Sequence, residues 1–399
     1  MSGQYSPRTG IYTVGSEERF DWRTRSLRPV ANATQLPLDK ITIAQQLQHN
    51  GYVTGLFGKW HLGTDAAHHP SRRGFTEAIE SAGQHFNFKT DPPVEVKPGE
   101  YLADFLTDKA VDFIDRHKDQ PFFLYVPHYG VHAPHVAKQE LVARFKDKPA
   151  VGGHHDPVYA AMIASVDESV GRIVAKLDEL KLSDNTLVIF SSDNGGVGGY
   201  AREGLGKPGI TDNSPLRGGK GMLYEGGIRV PYIFRWPGHV AEGGVNESPI
   251  QGIDFYPTLL ELAGVKKPEN YPIDGTSYAP QLLTPATAGP THDALYWHFP
   301  GYLGQGKGQW RTLPVSVVHS GDWKLLQFLE DDHLELYNLK ADPSETKNLA
   351  QAEPERAQAL LAKLQAWRTE IKAPLPRPIT EADKNEPRKK KKALVDNDD

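Results

Sequence analysis

The sequence predicts an α/β fold: a mixed, largely parallel sheet flanked by helices, followed by a smaller C-terminal antiparallel sheet packed by one helix. Three observations lead there. Strand-like and helix-like apolar patterns alternate from Ile41 to Ala263. Four short strand-like runs then crowd between Ala294 and Leu339, with one helical stripe after them. The unusual polar residues follow directly on strand-like runs, the place where doubly wound sheets bind ligands.

Ile41 to Gln48 reads as a short helix and Tyr52 to Phe57 as a strand. Leu102, Phe105, Leu106, Ala110, Phe113 and Ile114 recur at helical spacing, and the compact run Phe122 to Val126 follows as a buried strand. Tyr159, Ile163, Val166, Val170, Val174 and Leu177 mark one face of a long helix. Thr186 to Phe190, rich in β-branched and aromatic residues, is the next strand. Val230 to Trp236 is another, with a helix over Ile253 to Ala263. Ala294–Phe299, Val315–His319, Trp323–Phe328 and Leu334–Leu339 form the second sheet, and Ala357, Leu360, Leu361, Leu364 and Trp367 the helix that covers it. This divides the chain into a catalytic α/β domain over residues 1–288, a C-terminal subdomain over 289–373 and a disordered charged tail over 374–399.

Composition narrows the function. Of 399 residues, 38% are hydrophobic and 24% charged, the balance of a globular protein with a real core. A net charge of −5 gives no footing for nucleic acid, and no apolar run is long enough for a membrane helix. There is no cysteine, which excludes disulfides, thiolate metal sites and a cysteine nucleophile. Met1 to Arg8 has no apolar core of the kind a signal peptide needs.

The chemistry concentrates in four segments. Gly58-Lys59-Trp60-His61 follows the strand at Tyr52, and Pro127-His128-Tyr129-Gly130-Val131-His132 the strand at Phe122. Ser192-Asp193-Asn194-Gly195 follows the strand at Thr186, and Gly218-Gly219-Lys220-Gly221 runs toward the strand at Val230. Lysines and histidines are donors suited to a tetrahedral oxyanion. Asp193 and Asn194 offer hard oxygens of the kind Ca²⁺ prefers, and Mg²⁺ to a lesser degree. Together they point to transfer of a sulfuryl or phosphoryl group. Taken singly, each segment also reads as a turn or a solvated surface; three placed after strands and a fourth leading into one, in an α/β order, argue for one pocket.

The motifs resemble those of the formylglycine-dependent sulfatases, members of the alkaline phosphatase superfamily. The resemblance rests on Gly51-Tyr52-Val53-Thr54-Gly55-Leu56-Phe57-Gly58-Lys59-Trp60-His61, on Asp193-Asn194-Gly195, and on Gly219-Lys220-Gly221 with Tyr224-Glu225-Gly226-Gly227. Asp322-Trp323-Lys324-Leu325 and Glu335-Leu336-Tyr337-Asn338-Leu339 extend it through the C-terminal subdomain. It implies an alkaline-phosphatase-like sheet and hydrolysis of a sulfate ester, an aryl sulfate or sulfated carbohydrate. Lys59 and Lys220 would hold the sulfate, His61 would assist collapse of the sulfated intermediate, and His132 would protonate the leaving oxygen. Asp193 and Asn194 would ligate the divalent cation, usually calcium.

The family's nucleophile, a formylglycine made from Cys or Ser in a C/S-x-P-x-R motif, has no counterpart: the chain holds neither cysteine nor S-x-P-x-R. The resemblance therefore implies that this motif and an apolar strand ending in Asp-Asp precede Met1, that the chain as given does not turn over, and that the full protein acts in the periplasm or outside the cell. Two alternatives remain at this level: a catalytically dead protein that binds a sulfated ligand, and a phosphatase or phosphonate hydrolase of the same superfamily. Trp297, Tyr302 and Trp310 are candidate aromatic platforms for a sugar.

Overall fold

The computed structural model describes residues 1–205, 209–285, 288–306 and 309–387. Helix α1 (Ser6–Thr9) and strand β1 (Leu27–Arg28) belong to an N-terminal segment that runs across the molecule. Helix α2 (Ile43–His49) is closed by a reciprocal cap between Thr42 and Gln45 and leads into β2 (Val53–Gly58). Strand β3 (Glu77–Glu80), α3 (Leu102–Arg116), β4 (Phe122–Tyr125), α4 (Gln139–Phe145) and α5 (Pro157–Glu179) follow. The three strands form a parallel sheet in the order β3-β2-β4. Its interior is a dense aromatic cluster in which Phe57, Phe105 and Phe113 are buried and Phe57 meets Phe113 edge-on at 5.9 Å.

Strands β5 (Val188–Ser191) and β6 (Tyr232–Arg235) pair antiparallel, with α6 (Glu225–Ile228) just ahead of β6. Helices α7 (Phe255–Leu262) and α8 (Ala279–Leu283) lead to the C-terminal half. There β7 (Leu295–Phe299), β10 (Val315–Ser320), β11 (Trp323–Phe328) and β12 (Leu334–Asn338) make an antiparallel sheet in the order β12-β11-β10-β7. A hairpin of β8 (Leu303–Gly306) and β9 (Gln309–Thr312) projects from it. Helix α9 (Pro354–Glu370) covers the sheet, burying Leu364 and Trp367 against Val318, Leu325 and Leu336.

Three features depart from the sequence reading. The alternation suggests one continuous large sheet, yet among the described residues β4 pairs only with β2 and β5 only with β6. The expected apolar stripe of α5 is only part-covered. Besides Leu177 the helix buries Ala161, Met162, Ser165 and Ser169, and the small ones among them let α3 approach closely enough for Thr107 Oγ1 to donate to Ser169 Oγ at 2.6 Å. Ile163 stays 50% exposed.

The third departure is the tail. Residues 374–387 are folded rather than disordered: β13 (Arg377–Pro378) pairs with β1, and α10 (Glu381–Asn385) is capped by Thr380 and Asp383. Asp383 also joins Arg28 and Arg377, so the end of the chain is strapped to its beginning. The basic run from Arg388 lies outside the described residues. No described helix is long and apolar enough to cross a membrane.

Candidate active site

At the carboxyl end of β2 the chain turns sharply. Gly58 has φ +136°, and a Cβ there would stand 2.2 Å from the carbonyl oxygen of Pro127. Only glycine permits this approach, which lets Lys59 N–H donate to that same oxygen at 2.9 Å. Trp60 is buried, its indole N–H donating to His68 O at 2.8 Å. This anchors the turn and leaves His61 exposed at its tip with φ +60°, a sparsely populated conformation for histidine. Desolvation holds the Glu80 carboxyl, at the end of β3, above the usual range, opposed in part by the nearby backbone N–H groups of His61 and Trp60.

The segment after β4 is organised by Tyr129. Its hydroxyl donates to the carbonyl of Ala133, and the His132 ring packs against it at 5.0 Å. His132 Nδ1 lies 2.8 Å from Ala133 O and 3.0 Å from the Tyr129 hydroxyl. A carbonyl can only accept, so Nδ1 carries the proton and Nε2 is the basic nitrogen. Lys59 Nζ stands 5.8 Å from the centre of the same tyrosine ring. His128 and His135 go elsewhere. His128 bonds Ser169 Oγ at 3.0 Å, with desolvation pushing its ring down to about 4, and His135 packs on Tyr159.

After β5, Asp193 and Asn194 sit in a turn welded to the glycine-rich segment. Gly195 N–H donates to Gly227 O and Lys220 N–H to Gly196 O, both at 3.0 Å. A Cβ on Gly195 would stand 1.8 Å from Gly226 O. Asn213 ties the same turns together through Gly196 and Gly218, and the Tyr200 hydroxyl donates to Lys220 O at 2.8 Å. Behind them Lys324 is fully buried between Glu225 (3.0 Å) and Glu345 (2.8 Å), tying α6 to β11. Burial raises the Glu345 carboxyl, partly offset by Lys324.

Thus the structure brings Lys59 and His132 together around Tyr129, with His61 on the Lys59 turn, and brings Asp193, Asn194 and Lys220 together in a second group. Tyr125, the last residue of β4, feels the second group electrostatically: desolvation and then the charge of Asp193 push its phenol up to about 12. Asn194 Nδ2 donates to Gly195 O, which leaves the amide oxygen as its acceptor. Asp193 and Asn194 have the right donor chemistry for a hard cation but are too few for the roughly 6–8 oxygens of Ca²⁺. Among the described residues no three His, Cys, Asp or Glu side chains gather as a metal would need.

Sequence reading missed Tyr129, Glu80, Tyr200 and the pairing of Lys324 with Glu225 and Glu345. Each acts through a contact remote in sequence. Of the aromatic candidates, Tyr302 is a packing residue: it is buried, its hydroxyl donates to Glu330 at 2.6 Å and Trp310 packs on it. A small cavity lined by Tyr12, Phe20, Asn32, Phe299 and Tyr302 lies at the junction with the C-terminal sheet and includes none of Lys59, His61, His132, Asp193, Asn194 and Lys220.

A sulfatase family model matches residues 1–265. The chain belongs to the sulfatase family. The C-terminal model of N-sulphoglucosamine sulphohydrolase matches residues 219–372, from the Lys220 turn through α9. A sulfatase of Formosa agariphila is 32% identical over 449 residues, covering 94% of this chain and 78% of that protein. Human N-acetylgalactosamine-6-sulfatase is 31% identical over 306 residues, covering 71% of this chain; the match spans 55% of the human protein's length. The crystal structure of Ps i-CgsB in complex with k-i-k-neocarrahexaose is similar with a TM-score of 0.74 at 29% identity, covering 92% of this chain and 80% of that one. The fold is therefore the alkaline-phosphatase-like fold of sulfatases.

Proposed function

We propose that the two groups line one pocket that takes the sulfate ester of a carbohydrate. The observation that carries this is the meeting of the turns after β2 and β4, where Lys59 N–H donates to Pro127 O and Lys59 and His132 both flank Tyr129; the turn after β5 adds two oxygen ligands at a strand's carboxyl end. Lys59 and Lys220 supply positive charge for the sulfate oxygens. His132, protonated on Nδ1, offers a basic Nε2 that can carry a proton to or from the ester oxygen. His61 stands at the tip of the first turn, where the resemblance puts the residue that assists collapse of a sulfated intermediate. Asp193 and Asn194 contribute two ligands to a divalent cation, which would add charge at the sulfate.

A sugar ligand is supported by relatives named N-acetylgalactosamine-6-sulfatase, human and bacterial, and by the neocarrahexaose complex. A 28% identical steryl-sulfatase shows that the family is not confined to sugars. We place the activity in the periplasm or outside the cell on the family resemblance. The sequence as given holds no Cys and no S-x-P-x-R from which formylglycine is made, so its expected property is binding rather than turnover.

Calorimetric titration with N-acetylgalactosamine 6-sulfate tests the pocket. K59M and K220M should each weaken binding by about tenfold, the loss of one charge-assisted hydrogen bond. Unaltered affinity in both variants would overturn the reading.

A further inference from the structure

The hairpin β8–β9 reaches from the C-terminal sheet onto the turn that carries Lys220. Gly221, with φ +85°, makes this possible: a Cβ there would stand 2.5 Å from Leu303 Cδ2 and 3.1 Å from Arg311 Cδ. The Thr312 hydroxyl donates to Gly221 O and closes the contact. Arg311 is thereby held against Gly221, the residue that follows Lys220, its Nη1 3.5 Å from that same Cβ position.

Two features set Arg311 apart from its neighbours. Its guanidinium lies over the ring of Tyr200, 4.6 Å from the centre. Tyr200 is itself buried and fixed by its hydroxyl on Lys220 O, so the stack orients the guanidinium relative to Lys220. The other arginines around the turn are neutralised: Arg202 pairs with Asp212 at 2.7 Å and Arg217 with Glu203 at 2.9 Å. Among the described residues no carboxylate lies within 4.0 Å of Arg311. An oriented, half-buried cation without a counter-ion, adjoining a sulfate-binding lysine, is suited to an anion that arrives with the ligand.

We propose that Arg311 is a second anion subsite, so that the preferred ligand carries, besides the sulfate ester held by Lys59 and Lys220, a second anionic group: another sulfate or a carboxylate. This rests on the sulfate pocket proposed above and narrows its ligand to polyanionic saccharides. The planar fork of arginine suits either group, since both present two oxygens in the spacing it matches.

Three ligands that share one 6-sulfated N-acetylgalactosamine test it by calorimetry: the 6-sulfate alone, the 4,6-disulfate, and a chondroitin disaccharide with one 6-sulfate and one uronate carboxylate. The wild-type protein should bind at least one dianion about tenfold more tightly than the monosulfate. That ratio should fall toward one in R311M, survive in part in R311K, and shrink as salt screens the added charge. K220M should weaken all three ligands. R311Q, made alongside, keeps the comparison intact if R311M folds poorly. Which dianion gains decides between sulfate and carboxylate.

Equal affinity for all three in the wild type, or a preference that R311M and R311Q leave unchanged, overturns the Arg311 subsite. With K220M still weakening binding, the sulfate pocket would stand. No binding of any of the three would remove both.

Discussion

Gly195 shows how much of the site depends on single atoms. The turns carrying Asn194 and Lys220 touch at its Cα, where a Cβ would overlap Gly226 O. G195A must therefore push the two turns apart. The expected outcome is a loss of about 1–3 kcal/mol in urea denaturation together with weakened sulfate binding. Loss of stability with full binding would show that the turns are not coupled. Tyr129 matters at the same scale. It orders Lys59 and His132 through one ring and one hydroxyl, and the hydroxyl helps hold His132 in the Nδ1–H form. Y129F keeps the ring. It should leave the unfolding midpoint within about 1 kcal/mol but shift the His132 ring nitrogens in a nitrogen-detected NMR spectrum; an unmoved spectrum would show that Ala133 O alone sets the tautomer.

Between elements, the buried Lys324 couples the C-terminal sheet to the half of the chain that carries the candidate site. Glu225 heads α6, Glu345 lies beyond β12, and both meet the Lys324 ammonium inside the protein. Glu345 also accepts the Glu225 backbone N–H at 2.7 Å, so the cluster fixes the chain just after the Lys220 turn. K324M strands two buried carboxylates and should cost about 3–5 kcal/mol, read as a lower urea midpoint. Adding E225Q and E345Q removes the stranded charge and should restore part of that loss. No recovery in the triple variant would mean that the packing of the Lys324 stem, rather than its charge, holds the elements together.

For the whole molecule, stability should depend on pH through buried histidines. His128 and His298 are both pushed down to about 4, chiefly by burial, from an ordinary value of 6.5. Between those values the unfolded chain takes up protons that the folded one refuses. Stability should be complete above about pH 6.5 and decline as pH falls toward 4. His298 also spans distant parts of the chain, bonding Ser316 Oγ in β10 and Pro374 O ahead of β13, each at 2.8 Å. H298Q should flatten part of the slope when urea midpoints are compared at pH 7, 5.5 and 4.5; an identical slope would remove His298 as a contributor.

Local patterning in the sequence determined which segments became helices and strands, because a buried face must repeat with the period of its element. The runs at Phe122, Val315 and Trp323 emerged within a residue or two of their expected ends, and the stripe of α9 lies within its helix. Glycine and polar residues beside strands likewise marked Lys59, His61, His132, Asp193, Asn194 and Lys220. Tertiary structure alone decided which of them meet, since Tyr129 and Tyr200 make their links across the fold and carry no periodic signal. It also decided that α5 buries small residues instead of its larger stripe, because close approach to α3 favours Ala161, Ser165 and Ser169. The folding of 374–387 was illegible for a similar reason. Its composition is that of a solvated tail, and its order comes from Arg28, Asp383 and the pairing of β13 with β1, contacts made more than three hundred residues apart in the chain.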